Sequence, residues 1–185
     1  ALQELHSKDL LRLRVTKSLP VESLGAVIET DLRSGFGDDW LRIGSIKAFA
    51  DGALGPHTAA MLQPYEGEPE NRGMLLLDGE ELFEIGRKAS RNGLSLAVHA
   101  IGDRAVHELL NAYAQLRQFE QENHLPKLRH RIEHVQVISP HDAGRLAQLG
   151  VIASMQPIHA LSDMHMADQY WGERARLSYA WQTQL

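Results

Sequence analysis

Two histidines and one lysine stand where side chains do chemistry in parallel α/β proteins, at the exits of short apolar runs whose departing loops surround the open crevice. The runs are Ile46-Lys47-Ala48-Phe49-Ala50-Asp51-Gly52, Leu96-Ala97-Val98-His99-Ala100-Ile101-Gly102 and Arg131-Ile132-Glu133-His134-Val135-Gln136. Neutral imidazole is a ready ligand for a divalent metal. A lysine in an apolar strand must snorkel, pair or be chemically altered, because a bare buried ammonium is costly. Each residue also has a plain structural reading: a single strand histidine serves equally as a hydrogen-bonded core group, and Lys47 as a surface cation. Asp51 and Asp103, beside Gly52 and Gly102, fit turn or cap roles. His57, in a long loop, and His159, after Gln156-Pro157, are lone histidines that could face a substrate. Arg104, Arg129 and Arg131 suit either a substrate or a structural partner.

Strand parity sharpens part of this picture. Ser95, Ala97 and His99 share one face, and Leu94, Leu96 and Val98 share the bulkier face that belongs under helices, so His99 is expected to point inward. Ser45 and Lys47 group in the same way, with Ile46 and Ala48 opposite. Parity does not decide the third run, where charged Arg131 and Glu133 alternate with apolar Ile132 but share their face with Val135.

The elements that must position these groups alternate between strand and helix, the rhythm of βα units and a parallel sheet. Strands are expected at Leu11–Thr16, Leu41–Ala50, Leu94–Ala100, Arg129–Val137 and Val151–Gln156. Helices are expected from Val21 to Leu32, from an Asp78-x-x-Glu81 cap to Gly93, from Gly102-Asp103 to about Asn123, and from Ser139-Pro140 to Gly150. Residues 51–77 contain three Pro and four Gly with little periodicity, and so long a loop in a compact domain is usually functional. Aromatics recur over residues 168–185, at Tyr170, Trp171, Tyr179 and Trp181.

Composition narrows the chemistry. The chain has 185 residues, 43% apolar and 23% charged, the balance of a globular protein with a sizeable core. Its 19 basic residues are dispersed among 24 acidic ones, for a net charge of -5, which gives no basic face for nucleic acid. No apolar run approaches a membrane span and no leader pattern opens the chain, so a cytoplasmic location is expected. Without cysteine, any metal must rest on the ten histidines, on carboxylates or on a modified side chain.

Four motifs in order carry a resemblance: Lys47-Ala48-Phe49-Ala50-Asp51-Gly52-Ala53-Leu54-Gly55 with Thr58-Ala59-Ala60, Val98-His99-Ala100-Ile101-Gly102-Asp103-Arg104-Ala105, Arg129-His130-Arg131-Ile132-Glu133-His134-Val135-Gln136, and Ala153-Ser154-Met155-Gln156-Pro157 with His159. Together they resemble amidohydrolase family 3 proteins of the YtcJ type. The resemblance implies a metal-dependent hydrolase of the TIM (β/α)8 type, of which residues 1–185 supply roughly the third to seventh strands. It implies that Lys47, as a bridging carbamate, and His99 and His134 ligate one or two divalent ions, zinc above all. His159 and Arg104 would then face a small amide-like substrate whose carbon-nitrogen bond is hydrolysed by metal-activated water.

The family's first-strand His-x-His pair and eighth-strand Asp have no counterpart here. The closest two histidines, His130 and His134, lie four positions apart, and Asp163 follows the seventh strand too soon. The expected fold is therefore α/β, an incomplete TIM barrel of about five parallel strands with helices. As isolated it should be inactive, with open sheet edges that favour a homo-oligomer. Two other readings stay open, a Schiff-base, aldolase-type barrel using Lys47 and a non-catalytic remnant domain that self-associates.

Overall fold

A computed structural model describes residues 1–184. Five parallel strands lie in the order β1-β2-β3-β4-β5: β1 (Val15–Pro20), β2 (Leu41–Phe49), β3 (Leu96–Ala100), β4 (Arg131–His134) and β5 (Ile152–Ser154). Sequential order with helices between strands is the winding of a barrel, here left open at β1 and β5. Preceding the sheet is α1 (Leu2–Ser7); α2 (Leu24–Glu29), α3 (Gly79–Arg91), α4 (Asp103–Glu122) and α5 (Arg145–Leu149) follow β1 to β4 in turn, and α6 (Ile158–Trp171) and α7 (Trp181–Gln184) follow β5.

The main core lies between the sheet and its helices. Ile46 and Ala48 of β2, Leu96 and Val98 of β3 and Ile132 of β4 meet Leu82, Val106, Leu109, Leu110, Tyr113 and Leu116 of α3 and α4. Helix α3 starts where its sequence cap requires, with Asp78 accepting from the Glu81 N–H and Glu81 reaching back to the Asp78 N–H. Below the strands, His130 is fully buried; its Nδ1 accepts the Leu96 N–H at 3.0 Å and its Nε2–H donates to Glu120 at 2.8 Å. That pair of bonds fixes a neutral tautomer, and Arg117 neutralises the other Glu120 oxygen at 2.6 Å.

Strands β3 and β5 are shorter than the expected Leu94–Ala100 and Val151–Gln156 by two residues or fewer at each end, and four further boundaries differ from the sequence expectation. The first strand lies at Val15–Pro20 rather than Leu11–Thr16, because β2 begins at Leu41 and pairs with Val15, leaving Leu13 largely exposed without a strand partner. The helix expected over Val21–Leu32 splits into a 3₁₀ turn, Val21–Ser23, and α2. After Ser139-Pro140 the chain makes turns, and helix begins only at Arg145, closing at Gly150 with φ 61°. Strand β4 stops at His134, since His134 and Val135 take φ values of 76° and 47° that end the ladder.

The long connection is a folded unit of its own. Leu54, Ala59, Met61 and Tyr65 form a second core with Ile101, Val137, Ala167 and Trp171. Its anchor is Asp51, almost wholly buried, whose carboxylate accepts the Ala60 N–H at 2.9 Å, the Ile101 N–H at 3.0 Å and the Gly102 N–H at 2.8 Å. The turn role expected of Asp51 is thus exceeded, because it ties β2's exit to the loop and to the β3–α4 turn. Gly102 lets the loop approach: a Cβ there would sit 2.0 Å from the Ala60 carbonyl oxygen. An Asp51→Asn variant replaces one acceptor oxygen by an amide that faces N–H donors. It is expected to lose about 1–3 kcal/mol in urea unfolding; an unchanged midpoint would refute the clamp.

Candidate functional site

The concave face of the sheet is polar, as strand alternation requires when the other face carries the core. Ser45, Lys47, Ala97, Arg131, Glu133 and His134 line a cavity of about 760 Å³ over it. Ser45 and Ser95 are hydrogen-bonded side by side at 2.8 Å. The ambiguity of the third run is resolved: Arg131 and Glu133 face this cavity, their Nε and Oε1 2.5 Å apart, while Ile132 is buried beneath the helices. Alternation would send His134 to the side of Ile132. The left-handed backbone at His134 turns it to the cavity instead, and this is why parity failed for that run.

Lys47 sits half-buried with Nζ 4.7 Å from the Phe49 ring centre. Burial lowers its pKa, against the pull of the nearby Glu133 carboxylate. His99 is 9% exposed, and its Nε2 lies 2.8 Å from the Gly52 carbonyl oxygen. A carbonyl can only accept, so Nε2 carries the proton and Nδ1 keeps its lone pair, the arrangement that orients a metal-binding imidazole. The His99 and His134 rings are 4.6 Å apart, and His159 stands 5.7 Å from His134. Burial lowers the His99 pKa; for His134, burial and then the charges of His99 and Lys47 push it to about 4.

His134 Nδ1 is buried with no hydrogen-bond partner. An orphaned nitrogen beside a second imidazole with a free lone pair suits a metal ligand pair. Among the described residues, however, no group of three or more His, Cys, Asp or Glu side chains converges to hold an ion. What is present is two adjacent imidazoles, not a closed cage.

Of the other candidates, Arg104 is exposed on the first turn of α4 and lines neither the lumen cavity nor the smaller one beside His134 and His159. His57 is taken up by the loop, paired to Glu68 at 2.6 Å and packed 4.0 Å from Tyr170 between ring centres. Asp103, expected as a cap, accepts the Leu62 N–H at 2.8 Å and so secures the loop. Sequence reasoning missed Asp51 as a junction. The one signal available was a carboxylate directly after a long apolar strand.

An open parallel sheet with a polar concave face and two histidines at its strand exits is the build of a hydrolase barrel segment. It superposes on the crystal structure of an uncharacterized metal-dependent hydrolase from Pyrococcus furiosus with a TM-score of 0.86 and 33% identity, covering 99% of this chain and 37% of that one. A model of the amidohydrolase family matches residues 1–185, and the chain belongs to that family. It is 34% identical over 182 residues to Protein LONG AFTER FAR-RED 3 of Arabidopsis thaliana, covering 97% of this chain and 31% of that protein. It is 37% identical over 147 residues to Putative amidohydrolase YtcJ of Bacillus subtilis (strain 168), covering 78% of this chain and 26% of that protein. The chain thus spans about a third or less of these relatives. No helix among the described residues is long and apolar enough to cross a membrane.

The depressed His134 pKa has a signed consequence. Above the unfolded value of 6.5, both states are neutral at this ring and its contribution to stability is fully present. As pH falls toward about 4, the unfolded chain takes up a proton that the folded chain refuses, and the contribution is lost. His134→Phe is therefore expected to lose less unfolding free energy than the unsubstituted chain between pH 6.5 and 4, compared by urea titration with a chelator present. Parallel pH curves would contradict it.

Proposed function

We propose that this segment supplies part of the active site of a metal-dependent hydrolase that cleaves a carbon-nitrogen bond in a small amide-like substrate. Lys47, His99 and His134 are the ligands, His159 and Arg104 belong to the substrate side, and zinc is the ion expected. The observation that carries this reading is the His99–His134 pair, ring to ring at 4.6 Å, with one nitrogen lone pair freed by the Gly52 carbonyl and another nitrogen orphaned in the interior. Family membership supports it. His159 is supported by its closeness to His134; Arg104 has its place just beyond the β3 exit in its favour.

When bound, a divalent ion polarises the scissile carbonyl and lowers the pKa of the attacking water toward about 7. This chain's residues prepare for it. Burial keeps both imidazoles neutral, so no proton competes for their lone pairs at neutral pH. The Gly52 carbonyl fixes the His99 tautomer, and Asp51 holds the backbone that presents that carbonyl. Lys47, its pKa lowered, holds a larger share of the neutral amine that carbamate formation with carbon dioxide requires.

The same lowered pKa would suit a Schiff-base lysine, and metal content separates the two. Elemental analysis of the full-length protein after zinc exposure is expected to find zinc bound, and a His99→Ala, His134→Ala double variant to lose it. Absence of zinc from the unsubstituted protein would defeat the ligand assignment and favour the amine chemistry. We also propose that the 20.7 kDa segment alone self-associates through its open β1 and β5 edges. Analytical ultracentrifugation should then show species larger than a monomer, and a monomer at all concentrations would refute it.

A further inference from the structure

His130 stands at the base of the seam between β3 and β4, the two strands that carry His99 and His134. The ladder there pairs Ala97 with Arg131 and runs up to Ala100 and His134. One residue earlier on each strand the contact passes through a side chain, where the Leu96 N–H donates to His130 Nδ1 at 3.0 Å.

The rest of the ring is as fully committed. Its Nε2–H donates to Glu120 Oε1 at 2.8 Å, an oxygen that also accepts the Ser90 hydroxyl at 3.0 Å, and Arg117 holds Glu120 Oε2 at 2.6 Å. Tyr113 stacks on the ring, 5.4 Å between centres, and its hydroxyl donates to the Arg131 carbonyl at 3.1 Å. The charged groups facing His130 are thus Glu120 and Arg117 of α4, while α3 offers the neutral Ser90 and β3 the Leu96 N–H.

A neutral imidazole fits this enclosure in one tautomer. A second proton would sit on Nδ1 and point at the Leu96 N–H, donor against donor, on a ring with no exposed surface through which to recover hydration. Burial lowers the ring's pKa below the usual 6.5, against the pull of the Glu120 carboxylate and with the help of Arg117.

We propose that His130 is an acid-sensitive latch on the β3–β4 seam, closed while Nδ1 accepts the Leu96 N–H and released when that nitrogen takes up a proton. Above pH 6.5 the ring is neutral whether the seam is closed or open, and the latch contributes in full. Below it, an opened ring of ordinary pKa binds a proton that the closed ring refuses, so opening grows by up to tenfold per pH unit. Between pH 7 and 5 the growth approaches about 25-fold. The seam parts from below the His99–His134 pair, so acid loosens the strand pairing that sets those rings side by side. The latch is independent of what the strand exits bind.

Hydrogen exchange at the Leu96 amide of the full-length protein tests this, read by mass spectrometry with electron-transfer fragmentation and corrected for the intrinsic pH dependence of exchange. His130→Gln carries an amide that can donate to Glu120 and accept from Leu96 but does not titrate. From pH 7 to 5 the unsubstituted protein should lose about 25-fold more protection at Leu96 than the variant. Equal losses in the two proteins, or protection that stays constant in the unsubstituted one, overturn the latch.

Exchange of the His130 Cε1 proton, followed against pH in the unsubstituted protein, keeps the test open where His130→Gln does not fold. The ring is expected to titrate well below 6.5. Titration at or above 6.5 with Leu96 still protected would show that the closed seam accepts the proton, and the proposal would fall.

Discussion

The buried carboxylate of Asp51 is the contact on which the site depends. Three backbone N–H groups from two distant segments, Ala60 in the long loop and Ile101 and Gly102 at the exit of β3, converge on it. Burial raises its pKa to about 6 while each of those donors lowers it, so the carboxylate is held between opposed effects of the same enclosure. Its neighbour Gly52 presents the carbonyl that orients His99, and Asp51 Oδ1 itself lies 3.5 Å from the His99 ring nitrogen. One polar junction therefore sets loop, turn and imidazole together.

That junction works because the two faces of the sheet are so unlike. The helix side is dry and apolar, with Ile46, Leu96, Val98 and Ile132 fully buried. On the concave side Lys47, Arg131, Glu133 and the paired serines replace that packing with charge and hydrogen bonds around a cavity. Such a face is a poor contributor to stability, since each partly buried ion must recover its hydration from a neighbour. The same desolvation lowers the pKa of Lys47 and His134.

The long connection and the C-terminal helices form the rim of this face. Through Trp171, Ala167 and Val137, the loop's own core joins α6 to the β4 exit. Tyr179, itself in a left-handed conformation with φ 52°, bonds back to Gln136 and completes the wall beside His134. Rim and floor thus share residues, and a change in the loop's packing would be felt at the strand exits.

By itself the sequence determined the alternation of elements, the parallel sheet, the Asp78–Glu81 cap and the inward direction of Lys47 and His99, because periods of 2 and 3.6 are local properties of the chain. The motifs around Lys47, His99 and His134 also carried the family. Tertiary structure alone decided the rest. The start of β1 was set by where β2 offers a partner, not by the alternation of Leu11 and Leu13. His134 reached the cavity through a left-handed backbone that alternation has no means to express. Asp51 became a junction because the N–H groups around it come from segments far apart in the chain.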